Sequence, residues 1–328
     1  MDDSDKTVLL DSSYTPPNYG VCPICGANLE PDPNDCGTLR CPVCRFIQKQ
    51  KNSVMPGGVV GGKYRILSYL DSGANGDIFI CHPLNDVSQR YVLKILKHSD
   101  FVSRKRFRRE AEILASLGNE KRIARTIDFW EEDGALFFIM EYVRGKNLRQ
   151  IKEEYEFDET ATLQVALETV TALRGIWENF SVIHRDIKPE NIMLDENFCL
   201  KLLDFGLSKQ CGAESETTIT IEHIGIGTPG YMSPEQFEDS KHVDFRSDIF
   251  SLGATLFFLL TGEKPFAGKT PVEIYRNTIA TSPPSDKRFG GHCSEPCMRM
   301  IQKMMRANPD DRYQSYDELL DDINRLLG

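Results

Sequence analysis

The chain has 328 residues, 40% of them hydrophobic and 27% charged, enough for two lobes and a small extra module. Its formal net charge of −10 argues against sequence-independent nucleic-acid binding, which needs a basic surface to displace counterions. The acidic start has no basic stretch ahead of an apolar core, and the longest apolar run, 249–260, is broken by Ser251, Gly253 and Thr255. Neither a signal peptide nor a membrane span is expected, and the expectation is a soluble cytoplasmic protein with no membrane partner.

In chain order, residues 1–19 are polar, carry Pro16-Pro17, and read as a disordered tail. Residues 20–48 hold Cys22-Pro-Ile-Cys25 and Cys41-Pro-Val-Cys44 around an intervening stretch, 26–40. Without an export signal, ten cysteines do not argue for a disulfide framework, and this spacing is that of a zinc ribbon. Two tight turns would each present two thiolates to one tetrahedral Zn²⁺. So short a segment cannot bury enough apolar area to fold unaided, so the metal would supply its folding energy. A thioredoxin-like redox role competes for any CxxC, but no βαβ pattern surrounds these and there are two copies. Residues 49–62, with Pro56, Gly57-Gly58 and Gly61-Gly62, read as a linker.

A larger domain is expected over 63–328. Short segments rich in branched and aromatic residues predict strands near 64–70, 77–82 and 90–97, with a further pair around 124–130 and 135–142. Apolar residues at Phe107, Ala111, Leu114 and Leu117 predict a charged helix between the two groups. Beyond Asn147, helices are expected at 161–180, 246–261, 271–279, 295–305 and 316–327. The fold class is therefore α+β: a small strand-rich lobe, then a larger helical one.

Within the first strands, Leu70-Asp-Ser-Gly73-Ala-Asn-Gly76-Asp-Ile78 is a glycine turn whose backbone N–H groups can approach phosphates. A hairpin turn would look the same. Lys94, in Tyr91-Val-Leu-Lys94, could equally be a lysine snorkelling from a strand. The more specific stretch is His184-Arg-Asp-Ile-Lys-Pro-Glu-Asn191, followed by Asp204-Phe-Gly206 and then Ser233-Pro-Glu235. In this order the elements resemble those of eukaryotic-type (Hanks-type) protein kinases, over about 64–327, and the style of Gly230-Tyr-Met-Ser-Pro-Glu-Gln236 resembles bacterial serine/threonine kinases.

The resemblance implies a bilobal kinase fold and ATP-dependent phosphorylation of protein Ser/Thr hydroxyls, with ATP and Mg²⁺ (or Mn²⁺) as cofactors and proteins as substrates. It assigns Lys94 to the α- and β-phosphates and Glu110 to orienting that lysine, with Glu112 as the rival. Asp186 would accept the acceptor proton, Lys188 would steady the transferring phosphate, and Asn191 and Asp204 would bind the metal, as hard oxygens suit a hard cation. Leu70, Gly73, Gly76, Ile78, Val92 and Met193 would enclose the nucleotide, Glu141 and Val143 would supply hinge backbone groups, and Met140 would be the gatekeeper. Asp248 would brace the catalytic loop, and Glu235 would pair with Arg312. Lys188 and Thr228 point to Ser/Thr acceptors. Arg185 suggests control by a phosphorylated loop, with Thr218 and Thr220 as autophosphorylation sites and a transient homodimer for transfer in trans. Two departures stand out: Asp71 holds the place of the first family glycine, and Val92 that of an alanine. A pseudokinase scaffold is the competing reading, but it predicts loss of Lys94, Asp186 or Asp204, and all three are present.

Overall fold

The computed structural model describes residues 27, 30–32, 35–40, 47–49, 55–73, 76–96, 112, 115, 120–132, 134–203, 229–238 and 243–328. These divide into two compact units, one within Met1–Tyr69 and Cys81–Gln89, the other within Leu70–Ile80 and Arg90–Gly328.

The first unit contains β1 (Glu30–Asp32), β2 (Asp35–Arg40) and β3 (Ile47–Lys49), an antiparallel sheet with β2 in the middle. Arg40 faces Glu30 on one side and Ile47 on the other. It also contains β4 (Val59–Val60), which pairs antiparallel with the start of β5 (Tyr64–Gly73) across the Gly61-Gly62 turn. Both glycines have positive φ, 56° and 64°, the left-handed conformation that a tight hairpin turn requires. A strand therefore lies inside the stretch read as linker.

Beyond the glycine turn comes β6 (Gly76–Pro83). In the second unit, β7 (Tyr91–Leu96) and β8 (Thr126–Glu132) both pair antiparallel with β9 (Ala135–Glu141). Alternation along β7 buries Leu93 and Ile95 on one face and turns Val92 and Lys94 to the other. β10 (Gly145–Asn147), β11 (Ile192–Asp195) and β12 (Leu200–Leu202) form a second antiparallel sheet. Its strands are too short for an alternating pattern to reveal.

The helices are α1 (Leu148–Glu154), α2 (Glu159–Phe180), α3 (Pro234–Glu238), α4 (Arg246–Thr261), α5 (Pro271–Thr281), α6 (Asp286–Phe289), α7 (Glu295–Met304) and α8 (Tyr316–Leu327). Their starts follow from capping side chains: Asp158, Thr270, Ser294 and Ser315 each accept a backbone N–H three residues on. The 249–260 run lies inside α4, which is buried from Ser247 through Leu260 and so is apolar all round. Against it pack Leu163, Ala166, Val170 and Leu173 of α2, at helical spacing, and Met300, Ile301 and Met304 of α7. Each large apolar side chain fully buried here contributes about 1.5–3 kcal/mol. No helix among the described residues is long and apolar enough to cross a membrane. Of the helix expected before β8, the described residues Glu112 and Ala115 are helical and exposed.

Candidate active site

The connection from α2 to β11 carries a polar network. It is held from the side by Asp248, in the first turn of α4 and 1% exposed. One carboxylate oxygen accepts the His184 N–H at 2.7 Å, the other the Arg185 N–H at 2.8 Å. Arg185 sits at φ 66°, a left-handed conformation that costs a non-glycine residue about 1–2 kcal/mol. The two charge-assisted bonds offset that cost and fix the direction in which the next residue points. From the other side, the Gln236 side-chain amide donates to the Arg185 carbonyl at 3.0 Å. The fully buried His184 ring meets the Leu203 carbonyl at 2.8 Å through Nε2, while its Nδ1 accepts the Asp186 N–H at 3.3 Å.

Asp186 is thereby presented to its neighbours in one orientation. Lys188 Nζ lies 2.9 Å from its Oδ2. Asn191 Nδ2 donates to the same oxygen at 2.9 Å and to the Asp186 carbonyl at 2.7 Å. Because its nitrogen is used in this way, the Asn191 side chain is oriented as a donor toward Asp186, and its other atom is an oxygen that could hold a metal ion. Asn191 closes the 3₁₀ turn Pro189–Asn191, and its carbonyl accepts the Leu203 N–H at 2.8 Å. The turn is thus tied to the residue that precedes Asp204.

Other expected site residues fall on framework strands. Met193 on β11 faces Asn147 and Lys201 in register. Val92 and Lys94 lie on β7 opposite Met140 and Phe138 of β9. Glu141 ends β9 with its carboxylate 3.0 Å from Lys201 Nζ, accepting the Arg125 N–H at 3.1 Å, and Val143 just beyond is buried. Leu70 is exposed and Ile78 half-buried on either side of the glycine turn; Gly73 ends β5 and Asp71 is exposed. At Gly76, φ is 117° and a Cβ would come 1.8 Å from the Ile95 carbonyl oxygen, so glycine is required there. Glu110, Asp204, Thr218, Thr220, Thr228, Cys22, Cys25, Cys41 and Cys44 lie outside the described residues.

Below the loop, Arg312 and Glu235 form a bidentate pair at 2.6 and 2.8 Å. Arg312, 2% exposed, spends its remaining donors on the Arg246, Arg306 and Ala307 carbonyls, and Ser247 donates to Glu235. Burial raises the Glu235 pKa, but the Arg312 hydrogen bonds and charge outweigh it and hold the carboxyl below the usual glutamate range. Cys293 and Cys297 are free thiols beside the Ser294 cap, and no metal-holding cluster occurs among the described residues.

Sequence reasoning missed Lys201, the partner of Glu141, and Gln236, the support of the Arg185 carbonyl. Gln236 was visible only as the end of the Ser-Pro-Glu-Gln stretch. Lys201 carried no signal beyond lying three residues ahead of Asp204.

Residues 64–322 match the family described as protein kinase domain. The chain is 35% identical over 268 residues to the serine/threonine-protein kinase pkn3 of Myxococcus xanthus, covering 78% of this chain and 48% of that protein. It is 32% identical over 270 residues to PrkC of Bacillus subtilis, covering 80% and 40%. It is 37% identical over 227 residues to PknB of Mycobacterium tuberculosis, covering 67% and 36%. The chain thus spans half or less of the length of these relatives. Among solved structures, Rad53 1-466 in complex with AMP-PNP matches with a TM-score of 0.65 at 24% identity, covering 79% of this chain and 64% of that one, a likeness of fold.

Proposed function

The chain belongs to the protein kinase family, and on that premise we propose that it transfers the γ-phosphoryl group of ATP to Ser or Thr hydroxyls of proteins. The observation that carries the reading is the convergence of Lys188 and Asn191 on one oxygen of Asp186, in a loop whose backbone is held by Asp248. Phosphoryl transfer asks little covalent chemistry of the protein and much positioning. In this mechanism Asp186 orients the acceptor hydroxyl and takes its proton. Lys188 holds the carboxylate and offers its charge to the transferring group. Asn191, its Nδ2 committed to Asp186, and Asp204 would hold a Mg²⁺ (or Mn²⁺) ion through their side-chain oxygens. The ion, when bound, neutralises phosphate charge as a Lewis acid.

Lys94, oriented by Glu110, holds the α- and β-phosphates. Leu70, Gly73, Gly76, Ile78, Val92 and Met193 enclose the nucleotide, and backbone groups of Glu141 and Val143 meet the adenine. Thr218 and Thr220 are the autophosphorylation sites, modified in trans within a transient homodimer, and the protein acts in the cytoplasm. Residues 20–48 form a zinc ribbon. Its support is the antiparallel sheet of β1, β2 and β3; in sequence, Cys22 and Cys25 come before β1 and Cys41 and Cys44 between β2 and β3. The domains are then the 1–19 tail, the ribbon, a linker over 49–62 and the kinase domain over 63–328.

Incubation with γ-labelled ATP, Mg²⁺ and a generic protein acceptor tests the activity. Label recovered on phosphoserine and phosphothreonine supports it; no label, or label on tyrosine alone, overturns it.

A further inference from the structure

Arg149 is the second residue of α1, whose first turn contains no acidic residue. A cation there opposes the helix dipole. Its contacts account for its position. The guanidinium Nε donates to Glu190 Oε1, within the 3₁₀ turn that ends in Asn191. Its Nη2 donates to the Tyr231 hydroxyl at 3.2 Å, and its Cζ lies 4.8 Å from the centroid of the Phe258 ring of α4. Tyr231 is 2% exposed and ends the 3₁₀ turn Pro229–Tyr231. Glu190 Oε2 is buried with no hydrogen-bond partner among the described residues, so Arg149 supplies this carboxylate with its charge partner.

We propose that Arg149 is a positioning residue for phosphoryl transfer: by neutralising Glu190 and tying it to Tyr231, it fixes the turn from which Asn191 orients Asp186. The inference rests on the kinase reading and goes further, since it assigns a role to a residue outside the catalytic stretch. Without Arg149, Glu190 would stand as an uncompensated carboxylate one residue from Asn191, and the turn would relax toward water. Asn191 would then hold Asp186 less well, while the strands that carry Lys94 and the hinge would be untouched. The defect should fall on turnover rather than on nucleotide affinity.

The test uses the full chain in four forms: unaltered, Arg149→Met, Glu190→Gln and the double variant. Phosphate transfer to a generic protein acceptor is measured with kcat and KM for ATP, alongside the melting temperature. Loss of a hydrogen bond between charged groups predicts that Arg149→Met lowers kcat about tenfold or more, with KM for ATP changed less than about twofold. Because the two residues act as one unit, the double variant should be no slower than the slower single variant. Three results would overturn the inference: kcat of Arg149→Met within about twofold of the unaltered chain, a loss explained wholly by the unfolded fraction, or losses that multiply in the double variant. An unaltered chain that transfers no phosphate would overturn the kinase reading and this inference with it.

Discussion

Replacing Asp248 separates two consequences that are usually confounded, and the geometry fixes their ratio. The carboxylate accepts two backbone N–H groups, from His184 at 2.7 Å and Arg185 at 2.8 Å, where the aspartate is 1% exposed. Hydrogen bonds to a charged group contribute about 1.5–3 kcal/mol each, and the amides left behind would be desolvated without partners. Asp248→Ala should therefore cost about 3–6 kcal/mol. Asp248→Asn has one oxygen to offer and must turn its NH₂ against the other N–H, so it should cost about half as much. Arg185, at φ 66°, has less to hold it in either variant, so phosphate transfer should fall in both. Urea unfolding followed by tryptophan fluorescence measures this well. Trp177 lies 5.3 Å from the Phe245 ring, three residues from Asp248, and the only other tryptophan is Trp130. An alanine variant destabilised by less than about 1 kcal/mol, or an asparagine variant as stable as the original, would refute the two-acceptor account.

Other outcomes are expected. Gly76→Ala should abolish nucleotide protection in a thermal-shift assay, since its Cβ would lie 1.8 Å from the Ile95 carbonyl oxygen; binding at the original affinity would show that the turn rearranges freely. Arg312→Met should destabilise the second unit by about 3–5 kcal/mol, because it strands a partly buried Glu235 carboxylate. As the folded Glu235 pKa lies below the ordinary value of 4.5, the pair's contribution is complete above pH 4.5 and is lost as pH falls through the depressed folded value. The unaltered chain should therefore lose stability on acidification below pH 4.5 more steeply than Glu235→Gln, and equal slopes would contradict this. Removing zinc with a chelator, or Cys41→Ser, should release about one zinc per chain and leave the melting of the kinase domain unchanged; a chain isolated without zinc would count against the ribbon.

Much of the architecture was legible because its signals are local. Ser294, Ser315 and Asp158 announce helix starts within three residues, and the alternation Val92, Leu93, Lys94, Ile95 marks a strand with two unlike faces. Asp186, Lys188 and Asn191 are close in sequence, so one turn suffices to bring them together. The helix α1 was not expected, because only Leu148 of its seven residues is buried and the rest carries no apolar stripe. The long-range polar links were equally silent. Lys201 meets Glu141 across 60 positions, and Arg149 meets Glu190 and Tyr231 across 41 and 82. Charged residues at such separations look like solvated surface until the fold joins them.

The central claim is that Asp186 acts on the acceptor and not on the nucleotide. Asp186→Asn removes the proton acceptor while keeping a side chain that Asn191 can still meet. The account predicts that phosphate transfer falls by about a hundredfold or more, while affinity for a non-hydrolysable ATP analogue stays within about twofold. Transfer at an undiminished rate, or loss of analogue binding in parallel with activity, would contradict it.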